Sequence, residues 1–208
     1  MNRVDAAEEQ PAQGPWQAAR PSDITPFLTR LAVPWWIAGG WALDLFAGKP
    51  GRLHGDLDVG ILRRDILTVL AALPSWEFYE AKDGILIRLH NGETPRAEVN
   101  SLWGRPAGSG CWTLELMLDQ SDQHHWIFRR DPRVRRPLTT IIRHDATGIP
   151  YLAPEIQLLY KARSLRQQDQ ADFDHIAPLL DADARTWLES ALCMAEPGHH
   201  WIAALATA

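Results

Sequence analysis

The sequence has few of the residues that disulfide-rich, membrane or generally basic proteins need. Its 208 residues include two cysteines, Cys111 and Cys193, which are far apart and lack the spacing of a metal site. No apolar stretch approaches the roughly 20 residues that a membrane-spanning helix requires. The formal net charge of −5 disfavours a protein that binds nucleic acid mainly through phosphate contacts. We therefore expect reduced thiols, no membrane segment and no general affinity for nucleic acid.

The N-terminal region also lacks the apolar core of a signal peptide. Residues 1–21 carry acids and prolines and show little hydrophobic periodicity. We therefore expect a mobile tail over residues 1–21 and a cytoplasmic protein.

The rest of the chain has enough apolar residues, 46% in total, to bury a sizeable core. Residues 22–148 mix strand-like and helix-like patterns, and residues 149–208 favour helices. The predicted fold class is α+β: a small mixed β-sheet core flanked by helices, with a C-terminal helical part. The predicted strands are 33–38, 57–62, 76–80, 84–90 and 112–118, with 96–103 as a further candidate.

The most informative stretch places two glycines ahead of two acids. Gly39 and Gly40 precede a short predicted helix and leave room for backbone N–H groups to meet an anion. Asp56 and Asp58 stand two residues apart at a predicted strand, so their carboxylates share a face. Such carboxylates repel each other unless a cation lies between them, and Mg²⁺ prefers their oxygen ligands. The pattern indicates a phosphate site next to a metal-binding acid pair.

Either motif alone is a weak signal. A Gly-Gly pair before a helix is usually only a turn, and an Asp-x-Asp at a strand end is commonly just solvated. The joint interpretation rests on the order and spacing of the two motifs. Asp56 follows Gly40 by 16 positions.

These residues resemble a known family. Ile37-Ala-Gly-Gly-Trp-Ala-Leu-Asp, followed by Arg52-Leu-His-Gly-Asp-Leu-Asp, is similar to the DNA polymerase β-like nucleotidyltransferase superfamily, and most to its aminoglycoside and lincosamide nucleotidyltransferase branch. The resemblance is specific over residues 35–62 and looser over 150–180. It implies that Asp56 and Asp58 bind Mg²⁺ and that Gly39 and Gly40 hold a nucleoside triphosphate, with Arg52 as a further phosphate contact.

The resemblance also implies a third carboxylate on a neighbouring strand, which helps to bind the metal and often deprotonates the acceptor hydroxyl. Glu115 is the first candidate, because a glutamate inside an apolar strand needs a partner. Asp119, at the end of that strand, is the second, and Glu98 is the third. The alternative is that Glu115 only faces water on a half-exposed sheet.

The helical part contributes one further candidate. Lys161 is one of only three lysines, and it matches the lysine that family members often carry on the first helix after the sheet. The resemblance implies that Lys161 contacts the triphosphate as a point charge. We expect Asp169 and Asp172 to cap and stabilise the next helix.

A dense basic cluster lies between the strands and the helices. It could cover phosphates, attract an anionic acceptor or contact RNA, although a charge run is usually a solvated face. Asp131 within the cluster and the acidic chain argue against RNA. Its members are Arg129, Arg130, Arg133, Arg135 and Arg136.

The predicted function is Mg²⁺-dependent transfer of a nucleotidyl group, AMP from ATP as first choice, to a hydroxyl of a small molecule such as an aminoglycoside- or lincosamide-like compound. Two Mg²⁺ ions would activate the hydroxyl and neutralise the leaving pyrophosphate. Two other classes stay open. One is a nucleotide-binding regulatory module without catalysis, and the other is a toxin-like nucleotidyltransferase that modifies RNA. The sequence determines neither the acceptor, the donor base nor the oligomeric state.

Overall fold

A computed structural model describes residues 9–164 and 166–206 of the chain. The strands are β1 (Glu9–Pro11), β2 (Trp35–Ile37), β3 (Asp58–Leu62), β4 (Trp76–Lys82), β5 (Ile85–Leu89), β6 (Ser101–Pro106), β7 (Leu114–Ser121), β8 (His125–Ile127), β9 (Arg135–Pro137), β10 (Ile142–His144) and β11 (Pro150–Leu152). The helices are α1 (Pro21–Leu28), α2 (Gly39–Ala47), α3 (Ile66–Ala72), α4 (Pro154–Ala162), α5 (Gln167–Ile176), α6 (Ala182–Ala195) and α7 (His200–Ala206). Within this described part, no helix combines the length and apolar character that crossing a bilayer requires.

The chain divides into two compact units whose limits differ from the expected 22–148 and 149–208. The first unit contains the chain up to Trp35 together with His54–Leu118, and the second contains Trp36–Leu53 together with the chain from Asp119 onward. The reason for the difference is α2, which packs against α4 and α5. The glycine-containing segment therefore belongs with the C-terminal helices.

The first unit is built on an antiparallel ladder in the order β1-β5-β4-β6-β7, with β3 on the far side of β7. Asp83 and Gly84 both have positive φ, which suits the tight turn that joins β4 to β5. On one face of the ladder, Leu102, Leu114 and Leu116 are buried in the core. On the opposite face, where Glu115 lies, Tyr79 and Leu86 are also buried, in a cluster with Trp112.

The expectation of a mobile tail over residues 1–21 does not hold for residues 9–20. The Ala12 N–H donates to the Gly84 carbonyl at 2.8 Å, and the Trp112 N–H donates to the Pro15 carbonyl at 2.9 Å. The Trp16 ring packs edge-on against Trp103, with centroids 4.9 Å apart. The Trp16 ring and backbone hydrogen bonds hold this segment in place of a regular apolar face. This is why its sequence shows no hydrophobic periodicity. Residues 1–8 lie outside the described residues.

The second unit combines short strands with the C-terminal helices. Ile37 of β2 pairs in parallel with Tyr151 of β11, and β11 pairs antiparallel with β10. The end of β7 forms a small antiparallel ladder with β8 and β9. Helix α4 begins with Pro154 and is almost wholly buried. Parallel and antiparallel pairs together with the helical part confirm the predicted α+β class.

Candidate active site

The acid pair, Asp56 and Asp58, lies where β3 begins. Asp56 is exposed two residues before the strand, and Asp58 is half-buried at its first position. Leu57 and Val59, which alternate with them, are fully buried. This alternation gives the two carboxylates the common outward direction that the sequence predicted.

Glu115 lies on the neighbouring strand at the level of the acid pair. Its backbone N–H donates to the carbonyl of Leu57, the residue between the two aspartates, at 2.8 Å. The Ser101 hydroxyl donates a short hydrogen bond to the Glu115 carboxylate. Trp103 is the direct cross-strand partner of Glu115 on β6. Glu115 is therefore a half-buried, hydrogen-bonded carboxylate next to the acid pair.

The two other candidates for the third carboxylate stand elsewhere. Asp119 belongs to the second unit, is 6% exposed and accepts a hydrogen bond from the Tyr160 hydroxyl at 2.7 Å. Burial raises the pKa of Asp119 to about 6, although that hydrogen bond opposes the rise. Glu98 is exposed in a turn before β6. Asp119 shares β7 with Glu115, but of the three candidates it is Glu115 whose backbone N–H bonds to Leu57.

The strand that carries the acid pair is tied to the segment that precedes β6. The Arg63 guanidinium, just after β3, donates to the Val99 carbonyl and to Asn100 Oδ1. Glu80 of β4 accepts from the backbone N–H of Arg96 at 2.6 Å and from its guanidinium at 2.5 Å. These contacts fix the start of β6, and with it Ser101, the partner of Glu115.

The donor chemistry of the acid pair fits Mg²⁺, because both side chains are carboxylates and neither residue is fully buried. Among residues 9–164 and 166–206, no three Asp, Glu, His or Cys side chains converge into a preformed metal site. The geometry thus supports Asp56 and Asp58 as ligands and does not assemble Glu115 as the third ligand that the resemblance implied.

The glycine turn lies in the second unit. Gly39 has a φ of +63°, a conformation that residues with a side chain rarely adopt, and it begins α2. Its N–H donates to the Gln157 side-chain oxygen at 2.8 Å. Gln157 is a buried residue of α4 that sequence reasoning missed. A polar residue on an otherwise apolar helical stretch was the signal that could have found it.

Lys161 is buried between two carboxylates. Its Nζ lies 3.1 Å from Asp169 Oδ1 and 2.8 Å from Asp172 Oδ2. Asp169 also accepts the backbone N–H of Arg166 at 3.2 Å, and so caps α5 as predicted. Burial would raise the pKa of Asp169, but hydrogen bonds from Arg166 and Lys161 outweigh it and lower that pKa. Lys161 therefore joins α4 to α5.

Arg52 reaches the same group of charges from the loop after α2. Its Nε lies 3.8 Å from Asp172 Oδ1, which is beyond hydrogen-bond distance. The side chain of Arg52 lines a cavity of about 810 Å³ within the second unit. Of the predicted phosphate contacts, Arg52 and Lys161 thus meet at Asp172, while Gly39 begins α2.

The basic cluster is engaged inside the second unit. Arg136 Nη1 lies 2.5 Å from Oε1 of Glu155, which is fully buried. Arg130 donates to the Tyr160 carbonyl at 2.8 Å, and Arg129 lies over the Tyr160 ring. The two remaining members contact carboxylates, Arg133 that of Asp131 and Arg135 that of Asp122. These contacts indicate a structural role for the cluster.

Comparison with known proteins assigns the family. The model of the aminoglycoside-2''-adenylyltransferase family matches residues 22–176, well over half of the chain. The crystal structure of ANT(2'')-Ia in complex with adenylyl-2''-tobramycin is 13% identical, with a TM-score of 0.54 over 82% of this chain and 93% of that one. The lincomycin-bound lincosamide antibiotic adenylyltransferase LnuA is 16% identical, with a TM-score of 0.52 over 76% of this chain and 95% of that one. None of the curated proteins matches the chain.

The two solved structures share the fold, and the family match establishes the class of enzyme. The shared fold and the family match both agree with the resemblance found in residues 35–62. The chain belongs to the aminoglycoside-2''-adenylyltransferase family and is a nucleotidyltransferase.

Proposed function

We propose that this protein transfers the adenylyl group of ATP, in the presence of Mg²⁺, to a hydroxyl of a small molecule of the aminoglycoside or lincosamide kind. One observation supports this: the backbone N–H of Glu115 donates to the Leu57 carbonyl, so Glu115 is a candidate third carboxylate on the strand next to the acid pair. The acceptor class rests on the family and on the ligands named for ANT(2'')-Ia and LnuA.

In this scheme the acid pair binds the metal. Asp56 and Asp58 would hold Mg²⁺ through carboxylate oxygens, and the ion would supply neutralising charge at the phosphates. The exposure of Asp56 leaves its carboxylate open to such a ligand.

We assign Glu115 the role of general base. The Ser101 hydroxyl donates to its carboxylate and thereby orients it. Glu115 would accept the proton of the acceptor hydroxyl as that oxygen attacks the α-phosphorus. A positioned general base contributes about 10²–10⁴ in rate.

The nucleotide is assigned to the glycine turn and Arg52. A phosphate at Gly39 has to share or displace the Gln157 oxygen that accepts its N–H. Arg52 would contact phosphate directly, because its ion pair with Asp172 is long, at 3.8 Å, and its side chain is 32% exposed. Lys161 would act indirectly on the nucleotide. Its Nζ lies 2.8 Å from Asp172 Oδ2 and would position that carboxylate, which is the ion-pair partner of Arg52.

Both other classes are less well supported. An RNA-modifying enzyme would need the basic cluster to face its substrate, whereas Arg130 and Arg136 contact the Tyr160 carbonyl and the buried Glu155. A regulatory module without catalysis would lack a third carboxylate, whereas Glu115 occupies the strand beside the acid pair.

The test is pyrophosphate release from ATP and Mg²⁺ with a panel of aminoglycosides and lincosamides, and with tRNA as a separate acceptor. Glu115→Gln should lower turnover about 10²-fold or more and leave ATP affinity nearly intact, because it keeps shape and removes the basic group. Glu98→Gln, at an exposed turn, is the matched control and should match wild type. Equal turnover of Glu115→Gln and wild type would refute the base assignment. ATP binding without pyrophosphate release with any acceptor would favour the regulatory module.

A further inference from the structure

The second unit contains a cavity that the proposed chemistry does not use in full. Its volume of about 810 Å³ is within the range of small-molecule sites. Leu43 and Asp44 of α2 form one wall, the loop 49–52 a second, and the start of α5 a third. Because α2 begins at Gly39 and rises about 1.5 Å per residue, this wall is roughly 6 Å or more along the helix from the glycine turn.

Cations outnumber acids in the lining. Lys49, Arg52 and Arg166 all contribute to it, and the acids are Asp44 and Asp172. Asp44 Oδ1 accepts the Gly51 N–H at 2.9 Å. Asp172 lies 2.8 Å from the Lys161 ammonium, which offsets part of the negative charge of this carboxylate. The cavity therefore presents a positive surface to a ligand.

Two of the cations are partly exposed at the cavity, although each already has protein partners. The Arg52 side chain is 32% exposed, lies 3.8 Å from Asp172 Oδ1 and donates to the Leu53 carbonyl at 3.1 Å. The Arg166 side chain is 62% exposed and donates to both carboxylate oxygens of Asp169, at 2.9 and 3.1 Å. A guanidinium has five N–H donors, so each arginine can contact an anion without releasing its carboxylate. Arg166 also stands at the start of α5, where the helix dipole favours negative charge. Lys49 is exposed on the loop opposite.

We propose that this cavity binds a phosphate-type oxyanion through Lys49, Arg52 and Arg166. The anion is either the phosphate tail of the nucleotide or a phosphate group carried by another molecule. The Lys49 and Arg166 contacts hold whether or not the chain transfers AMP. Only Arg52 is shared with the proposed function.

The experiment titrates the full-length protein with inorganic pyrophosphate by calorimetry, alone and in the presence of saturating ATP without metal. Wild type should bind pyrophosphate, and affinity should fall with added salt. Lys49→Gln and Arg166→Gln should each weaken binding about two- to fivefold, the range for one exposed charge pair. Arg30→Gln, at the exposed end of α1 in the other unit, is the matched control and should bind like wild type.

The ATP arm identifies the source of the anion. Competition between ATP and pyrophosphate, with both weakened in Lys49→Gln, assigns the cavity to the nucleotide tail. Simultaneous binding assigns it to a phosphate on another molecule. Absence of pyrophosphate binding by wild type, or equal affinity in wild type, Lys49→Gln and Arg166→Gln, overturns the inference. Lys49 is exposed, so its variant should fold even where Arg166→Gln loses its contact with Asp169.

Discussion

Replacing Lys161 by methionine separates a structural lysine from a phosphate-binding one. Methionine keeps most of the aliphatic stem and removes the charge that lies between Asp169 and Asp172. Removing one partner of a buried ion pair typically costs about 3–5 kcal/mol, because the remaining charge stays buried and unpaired. Asp169 keeps Arg166 at 2.9 Å, so we expect a cost at or just below the lower limit of that range, about 2–3 kcal/mol.

Urea unfolding and ATP binding should be measured on the same samples. We expect a lower unfolding midpoint with an unchanged slope, and a small effect on ATP affinity. Asp172→Asn in the same chain should recover part of the loss, because it removes one of the two carboxylates left without their cation. Lys82→Met, at the end of β4, is the matched control and should cost little.

The pH dependence provides a further check. The pKa of Asp169 is lowered in the folded protein, so its stabilising contribution is present above its unfolded value of about 3.9 and is lost as the pH falls through the folded value. The deficit of Lys161→Met should therefore be full at neutral pH and shrink in acid. Unchanged stability together with a tenfold or greater loss of ATP affinity would refute this reasoning and make Lys161 a direct triphosphate ligand.

Three further predictions concern other parts of the chain. Because the pKa of Asp119 is raised to about 6 whereas its unfolded value is about 3.9, its contribution to stability should fall by roughly 2 kcal/mol between pH 4.5 and 7, and Asp119→Asn should abolish that fall in urea titrations at these two pH values. A Cβ on Gly104 would lie 2.6 Å from the Phe78 ring, so Gly104→Ala should cost about 1–3 kcal/mol, whereas Gly110→Ala meets nothing within 4 Å and should be neutral in thermal unfolding. Trp16→Ala should cost about 1–2 kcal/mol and speed proteolysis within residues 9–20, since it removes a half-buried ring; an unchanged cleavage rate would show that the backbone bonds hold this segment alone.

Local patterns predicted the elements that carry the acid pair and the glycines. The buried run before Gly39, the helix ended by Gly48 and the strand after Leu57 all follow from burial and turn chemistry that a sequence displays directly. The strands β4, β5 and β7 were also predicted, with small shifts of their bounds, whereas the further candidate 96–103 overlaps β6 only at residues 101–103. Asp58 begins its strand where the alternation of buried and open positions begins.

The parts that could not be predicted depend on contacts distant in sequence. Residues 9–20 are ordered by bonds to residues such as Gly84 and Trp112, which no local pattern announces. Gln157 reaches Gly39 across 118 residues of chain. Lys161 was predicted to contact phosphate because lysine is rare in this sequence. Its two carboxylate partners lie on α5, and the sequence does not show how α5 packs against α4.

The division of the chain into two units constrains the order in which its parts can fold during synthesis. Trp36–Leu53 leaves the ribosome well before α4 and α5, against which α2 packs. Closing that gap costs loop entropy before any contact repays it. During synthesis, β2 and α2 therefore keep an apolar surface exposed until the C-terminal helices have been made. A chain that stops before residue 150 would lack β11, which pairs with β2, and the helices against which α2 packs, and we expect it to need a chaperone or to be degraded during synthesis.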